Sequence, residues 1–128
     1  MKILLSIKPL FVEKILSGEK KYEFRKTEFK RKDIDSIIVY SSGNVKKIVG
    51  EIKFHKVLCD TPQNIWQLTH DEAGISFEAF MSYFARRQKA FAIVIDEFRP
   101  YKTMLSLDDK FHGVKAPQSF LYLDETKF

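Results

Sequence analysis

An eight-residue stretch near the amino terminus carries the densest set of side chains that could do chemistry. It spans Gly18–Arg25 and reads G-x-K-x-x-E-x-R. If a strand begins at position 21, alternation places Lys21, Glu23 and Arg25 on one face and the two aromatic side chains on the other. A carboxylate between two cations can accept an amine proton while the guanidinium presents a fork of donors, which suits a nucleobase or a phosphate. The alternative is a solvated face of an amphipathic edge strand with a weak surface ion pair.

The elements around this stretch are predicted to position it beside a cleft. The alternation over Lys2–Ile7 indicates a strand. Pro9 suits the first turn of a helix, and apolar pairs one turn apart support that helix until Gly18 ends it as a left-handed cap. Because the signature begins where a helix stops, Lys20 is predicted to lie in the turn and to approach the same cleft as the charged strand residues.

Four later segments have the apolar patterns of strands. They are Ser36–Tyr40, Lys47–Leu58, Ala90–Phe98 and Gln118–Leu123. Gly50 interrupts the longest one and predicts a bulge or a close backbone approach. Pro100 is predicted to end the third, since proline cannot donate to a ladder. Five or six strands with helices at the connections predict a mixed α+β domain with a curved or closed sheet, and the pattern alone does not choose between an open sheet and a barrel.

Two helices are predicted in the long connection after residue 58. Thr61 and Pro62 begin the first, and Ser76 caps the second. Apolar residues of the second helix recur at helical spacing, at Phe77, Phe80, Met81 and Phe84. Such a stripe is typical of a packed core. Trp66 is predicted to join this core, with base stacking as its alternative role. A short helix or turn is predicted over residues 105–111.

Length and composition restrict the class of protein. The 128 residues suit one domain with a modest core, and we predict a single domain over residues 1–128. Hydrophobic residues make up 45% of the chain and aromatic residues 14%, which excludes a disordered protein. Cys59 is the single cysteine, so an internal disulfide is excluded and a reducing, cytoplasmic location is expected. No segment approaches the ~20 apolar residues of a membrane helix, so no membrane partner is expected.

The charge of the chain favours an anionic partner, and the residue patterns argue against several cofactor classes. The net charge is +5, and residues 18–32 contain seven cations and three acids. Widening this window to residue 35 adds two acids, so the local excess is supporting evidence only. The three histidines are scattered and match no metal motif, and the isolated glycines form no phosphate-binding loop. We therefore expect neither a metal nor a cofactor.

The Gly18–Arg25 signature resembles that of the ASCH domain, a branch of the PUA-like superfamily of RNA-binding modules. Three further segments are similar to segments of small ASCH proteins and occur in the same order: Leu4–Pro9, Val45–Glu51 and Pro117–Phe120. The resemblance therefore covers nearly the whole chain. It implies a PUA-like small curved β-barrel with helices at the connections.

A binding module is the preferred functional hypothesis. In this hypothesis a Lys/Glu/Arg cleft holds RNA or a modified nucleobase, and the protein regulates RNA metabolism, translation or transcription. The predicted contact residues are Gly18, Lys20, Lys21, Glu23, Arg25, Lys26, Tyr40, Ser41 and Gln118. Cations would give salt-sensitive affinity for phosphates, and Glu23 would discriminate bases by accepting an exocyclic amine.

The alternative hypothesis is a small hydrolase. Some ASCH proteins remove the acyl group of N4-acetylcytidine with the motif lysine, a threonine and a later glutamate. Lys20 matches the lysine, but Glu23 occupies the threonine position and the later glutamate falls near Ala73, beside Glu72. Glu23 would then act as a general base and Lys20 would stabilise the oxyanion. Other ASCH proteins are connected with cleavage of RNA, which the same cluster would support. A third hypothesis, a regulator acting through a protein partner, stays open.

Overall fold

Eight strands and four α-helices make up the part of the chain that the computed structural model describes, residues 1–124 and residue 126. The strands are β1 (Lys2–Ile7), β2 (Tyr22–Arg25), β3 (Ser36–Ser41), β4 (Lys47–Lys53), β5 (Val57–Asp60), β6 (Ala90–Val94), β7 (Glu97–Leu105) and β8 (Phe120–Leu123). The helices are α1 (Pro9–Ser17), α2 (Pro62–Thr69), α3 (Phe77–Tyr83) and α4 (Leu107–Lys110), and a 3-10 turn spans His70–Glu72. None of these helices is long and apolar enough to cross a bilayer.

The strands form two sheets. A five-stranded sheet has the order β7-β4-β3-β1-β8, and a three-stranded sheet has the order β2-β6-β5. Strands β1 and β3 are parallel, and all other neighbours are antiparallel. The predicted mixed α+β class is confirmed. The predicted count of five or six strands was too low, and within the described residues the ladders of the two sheets do not close into one barrel.

Three predicted strand boundaries were wrong. The segment predicted as one strand over Ala90–Phe98 is divided between β6 and β7, which lie in different sheets. The segment predicted as one strand over Lys47–Leu58 divides after Lys53, and its two parts join different sheets as β4 and β5. The apolar pattern continues across the break because half-buried residues of β5 also pack on the core. Pro100 does not end a strand but lies inside β7. It is tolerated there because β7 is an edge strand and its pairing with β4 shifts register beside Gly50.

The predicted close approach at Gly50 is confirmed. A Cβ atom at this position would lie 2.5 Å from the carbonyl oxygen of Arg99 and 2.8 Å from the ring of Phe98. The pairing of β4 with β3 is also irregular here. Glycine therefore lets β7 lie closer to β4 at this point than a side chain would allow.

The predicted helix ends are confirmed by their backbone and side-chain geometry. Gly18 ends α1 in the left-handed region at φ 87°, and its N–H donates to the Ile15 carbonyl at 3.2 Å. The hydroxyls of Thr61 and Ser76 cap α2 and α3 by accepting from backbone N–H groups three residues on. These caps fix where the chain enters the sheets.

Apolar residues cover both faces of the five-stranded sheet. Ile3 and Leu5 of β1 lie in the cluster between the two sheets, whereas Leu4 faces α4 and its neighbours on the other side. A third cluster forms where α2 and α3 pack on the three-stranded sheet. In the predicted α3 stripe, Phe80 and Phe84 are buried, but the side chain of Phe77 is 51% exposed. Trp66 packs partly buried against this third cluster, as predicted for a core residue.

Candidate functional site

A cleft of about 720 Å³ opens between the two sheets, at the carboxyl end of β1. Its walls come from β1, α1, the turn before β2, β2 itself, the end of α3 and the loop before β8. The charged residues in its lining are one carboxylate and five cations: Glu23, Lys8, Lys20, Arg25, Lys26 and Arg87. The cleft is therefore strongly positive and suits an anionic ligand.

Lys20 forms part of the inner wall, although its side chain is only 2% exposed. The left-handed cap at the end of α1 reverses the chain, and the Lys20 N–H then donates to the Lys14 carbonyl at 3.0 Å. Its ammonium group donates to the Ala73 carbonyl at 2.8 Å. The same nitrogen lies 5.0 Å and 4.6 Å from the ring centroids of Phe11 and Phe24. The prediction that Lys20 lies in the turn and reaches the cleft is confirmed.

The environment of Lys20 destabilises its charged form. Burial is the main cause and lowers the pKa of the ammonium group from 10.5 to about 8. The carboxylate of Glu23 acts in the opposite direction, and the cations of Lys14 and Arg25 add to the lowering. Such a shift in a cleft marks a group suited to proton transfer or to stabilising a developing negative charge.

Glu23 lies on β2 and is buried at the floor of the cleft. One carboxylate oxygen, Oε1, accepts from the Phe24 N–H at 3.2 Å. The other, Oε2, has no hydrogen-bond donor among the described residues. Its ion-pair partner is Arg25, whose Nη2 is 3.7 Å away. The carboxylate thus has an unused acceptor in a position where water is largely excluded.

Arg25 connects the two sheets across the cleft. Its Nη2 donates to the Ser6 carbonyl of β1 at 2.8 Å, and its Nη1 reaches the Ser119 hydroxyl at 3.4 Å. Its Nε has no hydrogen-bond acceptor within the described part of the chain. The side chain is therefore held in place by β1 and by the loop before β8, and its Nε donor is left unused.

The predicted contact residues fall into two groups in the structure. Six of them line the cleft: Lys20, Glu23, Arg25, Lys26, Tyr40 and Gln118. Gly18, Lys21 and Ser41 are not part of its lining. Gly18 is the helix cap, and Ser41 is buried at the end of β3, where the next residue lines the cleft instead. The ammonium of Lys21 is exposed and lies 3.1 Å from the Glu72 carboxylate, so Lys21 does not share the cleft with Glu23.

Several residues of the cleft were not among the predicted contact residues. They include Ser6, Lys8, Tyr83, Arg87 and Ser119. Ser6, Lys8 and Ser119 lie within the segments that resemble ASCH proteins, whereas no sequence signal points to Tyr83 or Arg87. Their common location depends on how β1, β2, α3 and the loop before β8 meet, so only the tertiary structure could bring them together.

Comparison with known proteins identifies relatives of this chain. The chain is 25% identical to the ASCH domain-containing ribonuclease of Zymomonas mobilis over 121 residues, which cover 93% of this chain and 82% of that protein. It is 28% identical over 87 residues to the large ribosomal subunit protein uL22 of Ureaplasma parvum. That match covers 68% of this chain but only 28% of the ribosomal protein.

Solved structures share the architecture. The crystal structure of ASCH from Zymomonas mobilis superposes with a TM-score of 0.86 at 24% identity and covers 98% of this chain and 91% of that one. The N-terminal domain of Staphylothermus marinus McrB gives a TM-score of 0.62 at 13% identity, covering 98% of this chain and 90% of that one. These likenesses show the shared fold, and with the Zymomonas mobilis sequence relative they support the ASCH domain that the sequence predicted. Residues 3–115 match the family described as "Domain of unknown function (DUF365)", and the chain belongs to that family.

Proposed function

We propose that the cleft binds RNA through an unstacked base or a modified nucleobase. The observation that carries this proposal is the pair of unused groups at the cleft floor, Oε2 of Glu23 and Nε of Arg25. A buried acceptor and donor without partners cost free energy, and a ligand that fills both recovers it. The edge of a nucleobase offers a donor next to an acceptor, which is the complement of this pair.

The surroundings of the pair support the same ligand class. Five cations and one carboxylate line the cleft, which favours phosphates over neutral metabolites. The Zymomonas mobilis relative is named a ribonuclease, and the Ureaplasma parvum relative is named a ribosomal protein. We extend the proposal to a PUA-like assignment of the fold, to one domain over residues 1–128, and to a cytoplasmic regulator of RNA metabolism, translation or transcription.

The test is RNA affinity in a pair of arginine variants. Fluorescence anisotropy would follow a short labelled single-stranded RNA at two salt concentrations. We expect salt-sensitive binding by the native protein and a loss of at least about tenfold in Arg25→Ala. Arg99→Ala is the matched control, because Arg99 pairs with Glu97 on the exposed surface of β7.

Two results would overturn the proposal. One is a folded Arg25→Ala protein that binds RNA as tightly as the native protein. The other is a native protein that fails to bind RNA at low salt. Circular dichroism and thermal unfolding of each variant separate lost binding from lost folding.

A second candidate function is cleavage of RNA in the same cleft. The observation that favours it is Lys20, whose pKa of about 8 and place beside Glu23 suit acid–base chemistry. The name of the Zymomonas mobilis relative points in the same direction. Glu23 would accept the proton of a ribose 2′-hydroxyl as its oxygen attacks the adjacent phosphorus, and the P–O5′ bond would break to leave a 2′,3′-cyclic phosphate. The Lys20 ammonium would donate a proton to the leaving 5′-oxygen, and Arg25 would stabilise charge on the phosphate.

The acetylcytidine reaction receives less support. Glu72 pairs with Lys21 outside the cleft, and Ala73 presents its carbonyl to Lys20 rather than a carboxylate. Short RNAs and N4-acylated cytidines, incubated with the native protein and with Glu23→Gln, would be analysed by mass spectrometry. Product that the variant fails to form would establish an enzyme. Absence of product from the short RNAs and from the N4-acylated cytidines would leave binding as the function of the cleft.

A further inference from the structure

We infer that the mouth of the cleft holds a phosphate subsite formed by Lys26, Arg87 and Tyr83, and that the ligand is therefore a nucleotide within a single-stranded chain rather than a free nucleoside. This inference rests on the proposed function and specifies its ligand. The base-reading pair lies at the cleft floor, whereas these three residues lie at its edge, where β2 and α3 end.

Lys26 and Tyr83 form the best-defined contact of this subsite. Lys26 directly follows β2, and Tyr83 is the last residue of α3. The Lys26 ammonium lies 4.7 Å from the centre of the Tyr83 ring, at cation–π distance. The ring itself is 37% exposed and packs edge-on against Phe84, with ring centroids 4.8 Å apart. A cation is thus held over an aromatic surface that the core keeps in place.

Arg87 follows the turn after α3 and lines the cleft together with Tyr83 and Lys26. Its N–H donates to the Phe84 carbonyl at 3.0 Å, which fixes the turn. Burial and the Glu23 carboxylate raise the pKa of Tyr83, and the guanidinium groups of Arg25 and Arg87 act in the opposite direction. Cations from the end of β2 and from the α3 turn therefore line the same part of the cleft as Tyr83.

The cations of the subsite are not neutralised by the protein. Neither Lys26 nor Arg87 has a carboxylate within ion-pair distance among the described residues, whereas Lys21, Arg31 and Arg99 on the outer surface each have one. Glu23, at the floor, is the carboxylate that lines the cleft. Unpaired cations beside an aromatic face suit a phosphodiester whose neighbouring base stacks on the ring. A free nucleoside carries no phosphate and so cannot pair with these cations.

Two adjacent arginines provide a matched test. Arg87 lines the cleft and Arg86 does not, and both are exposed. Glutamine at either position removes one charge and keeps the Cβ atom. The backbone of Arg86, which has a positive φ of 64°, is therefore no more strained in the variant than in the native protein. The measurement is anisotropy of a short labelled single-stranded RNA over a series of salt concentrations, with calorimetry of the corresponding unlabelled nucleosides.

The expected result has three parts. Arg87→Gln weakens RNA affinity by roughly tenfold at low salt and reduces the slope of log K against log salt by about 0.7, the value for one phosphate contact on a single strand. Arg86→Gln changes neither quantity. Tyr83→Leu weakens binding by roughly tenfold without changing the slope, since stacking involves no counterion release. Nucleoside affinity stays the same in both arginine variants.

Equal behaviour of Arg87→Gln and Arg86→Gln would overturn the inference, as would a nucleoside that binds as tightly as the RNA. In either case a loss of binding in Arg25→Ala would leave the proposed function standing. A native protein that binds no RNA would overturn both.

Discussion

Glu51 on β4 and Glu23 on β2 each form an ion pair with a cation of this protein. In the part of the chain that the structure describes, the paired carboxylate oxygen accepts hydrogen bonds in Glu51 but not in Glu23. On β4, Oε1 of Glu51 accepts from the Lys2 ammonium at 2.8 Å and from the Ser36 hydroxyl at 3.0 Å. Burial acts to raise the pKa of Glu51, but these hydrogen bonds outweigh it and the pKa is lowered. On β2, the Oε2 atom of Glu23 has no hydrogen bond within the described residues.

This difference in hydrogen bonding distinguishes the structural ion pair of Glu51 from the candidate binding site at Glu23. The Glu51 group ties three neighbouring strands of one sheet, and its acceptor is used within the protein. The Glu23 group faces a cleft and leaves an acceptor and a donor unused. Proteins rarely leave buried polar groups unpaired, and such groups concentrate where a ligand completes the pairing.

The largest expected effect comes from removing the packing beneath Glu23. Phe80 is fully buried and packs edge-on against Phe24, the neighbour of Glu23 on β2, at a centroid distance of 5.0 Å. Phe80→Ala is expected to lower the free energy of unfolding by about 3–5 kcal/mol and to weaken RNA binding with it. Urea denaturation measures the first quantity. Phe77→Ala, at an exposed position of the same helix, is the control, and an equal loss in both variants would contradict the assignment of Phe80 to the core.

The next effect is a rise in stability with pH that comes from Lys20 of the cleft. Lys20 loses its proton at about pH 8 when folded and at 10.5 when unfolded, because burial disfavours its charge. Between these values the unfolded state binds more protons, so stability increases as the pH rises. Below pH 8 the cost of the buried charge is fully present. Relative to Lys20→Met, the native protein should gain up to about 3 kcal/mol across this window.

The measurement is denaturant unfolding of native protein and Lys20→Met at several pH values. The difference between the two removes the titration of all other groups. Lys30→Met is the matched control, because Lys30 is exposed in the loop between β2 and β3. A flat difference for Lys20→Met would mean that the ammonium is not buried as described.

A smaller effect contrasts the two glutamates directly. Glu51→Gln should lower the free energy of unfolding by about 1–2 kcal/mol, since it weakens charged hydrogen bonds, and should leave RNA affinity unchanged. Glu23→Gln should also lower the free energy of unfolding, because its ion pair with Arg25 is buried, but unlike Glu51→Gln it should weaken RNA binding by roughly tenfold. The deficit of Glu51→Gln should shrink as the pH falls below 4.5, because the unfolded state then binds a proton while the native carboxylate, whose pKa is lowered, still resists protonation. The reverse pattern of RNA binding in the two variants would refute the comparison.

The smallest effect is expected at Lys21, which lies beside the cleft residues in sequence but outside the cleft. Its ion pair with Glu72 is exposed, so Lys21→Gln should change stability by about 0.2–1 kcal/mol. RNA affinity should change far less than in Arg25→Ala. A loss equal to that of Arg25→Ala would extend the binding surface onto this side of β2.

The sequence predicted those parts of the molecule that depend on local rules. The end of α1 at Gly18 and the starts of α2 and α3 follow from caps, and the contact at Gly50 follows from a glycine within a strand. Alternation along β2 correctly placed Phe24 in the core and Glu23 with Arg25 on the cleft side.

What the sequence did not predict depends on contacts between distant segments. The break after Lys53 sends β5 into the other sheet, and only the pairing of β5 with β6 reveals it. The strand end predicted at Pro100 is wrong because β7 is an edge strand, and the sequence alone does not show the order of the strands. Arg87 and Tyr83 reach the cleft through the packing of α3 on β2, which the apolar stripe of α3 predicts only in general terms.

The contact between Lys20 and Gly74 has a consequence for how this family can evolve. A Cβ atom at Gly74 would lie 2.6 Å from the Cβ of Lys20, and the φ of 65° at Gly74 already disfavours side chains. The Lys20 side chain passes over Gly74 and donates to the carbonyl of the preceding residue, Ala73. The two positions therefore cannot mutate independently. Among related sequences we expect covariation, with glycine at position 74 wherever position 20 is lysine, and larger residues at 74 only in lineages that have lost the lysine.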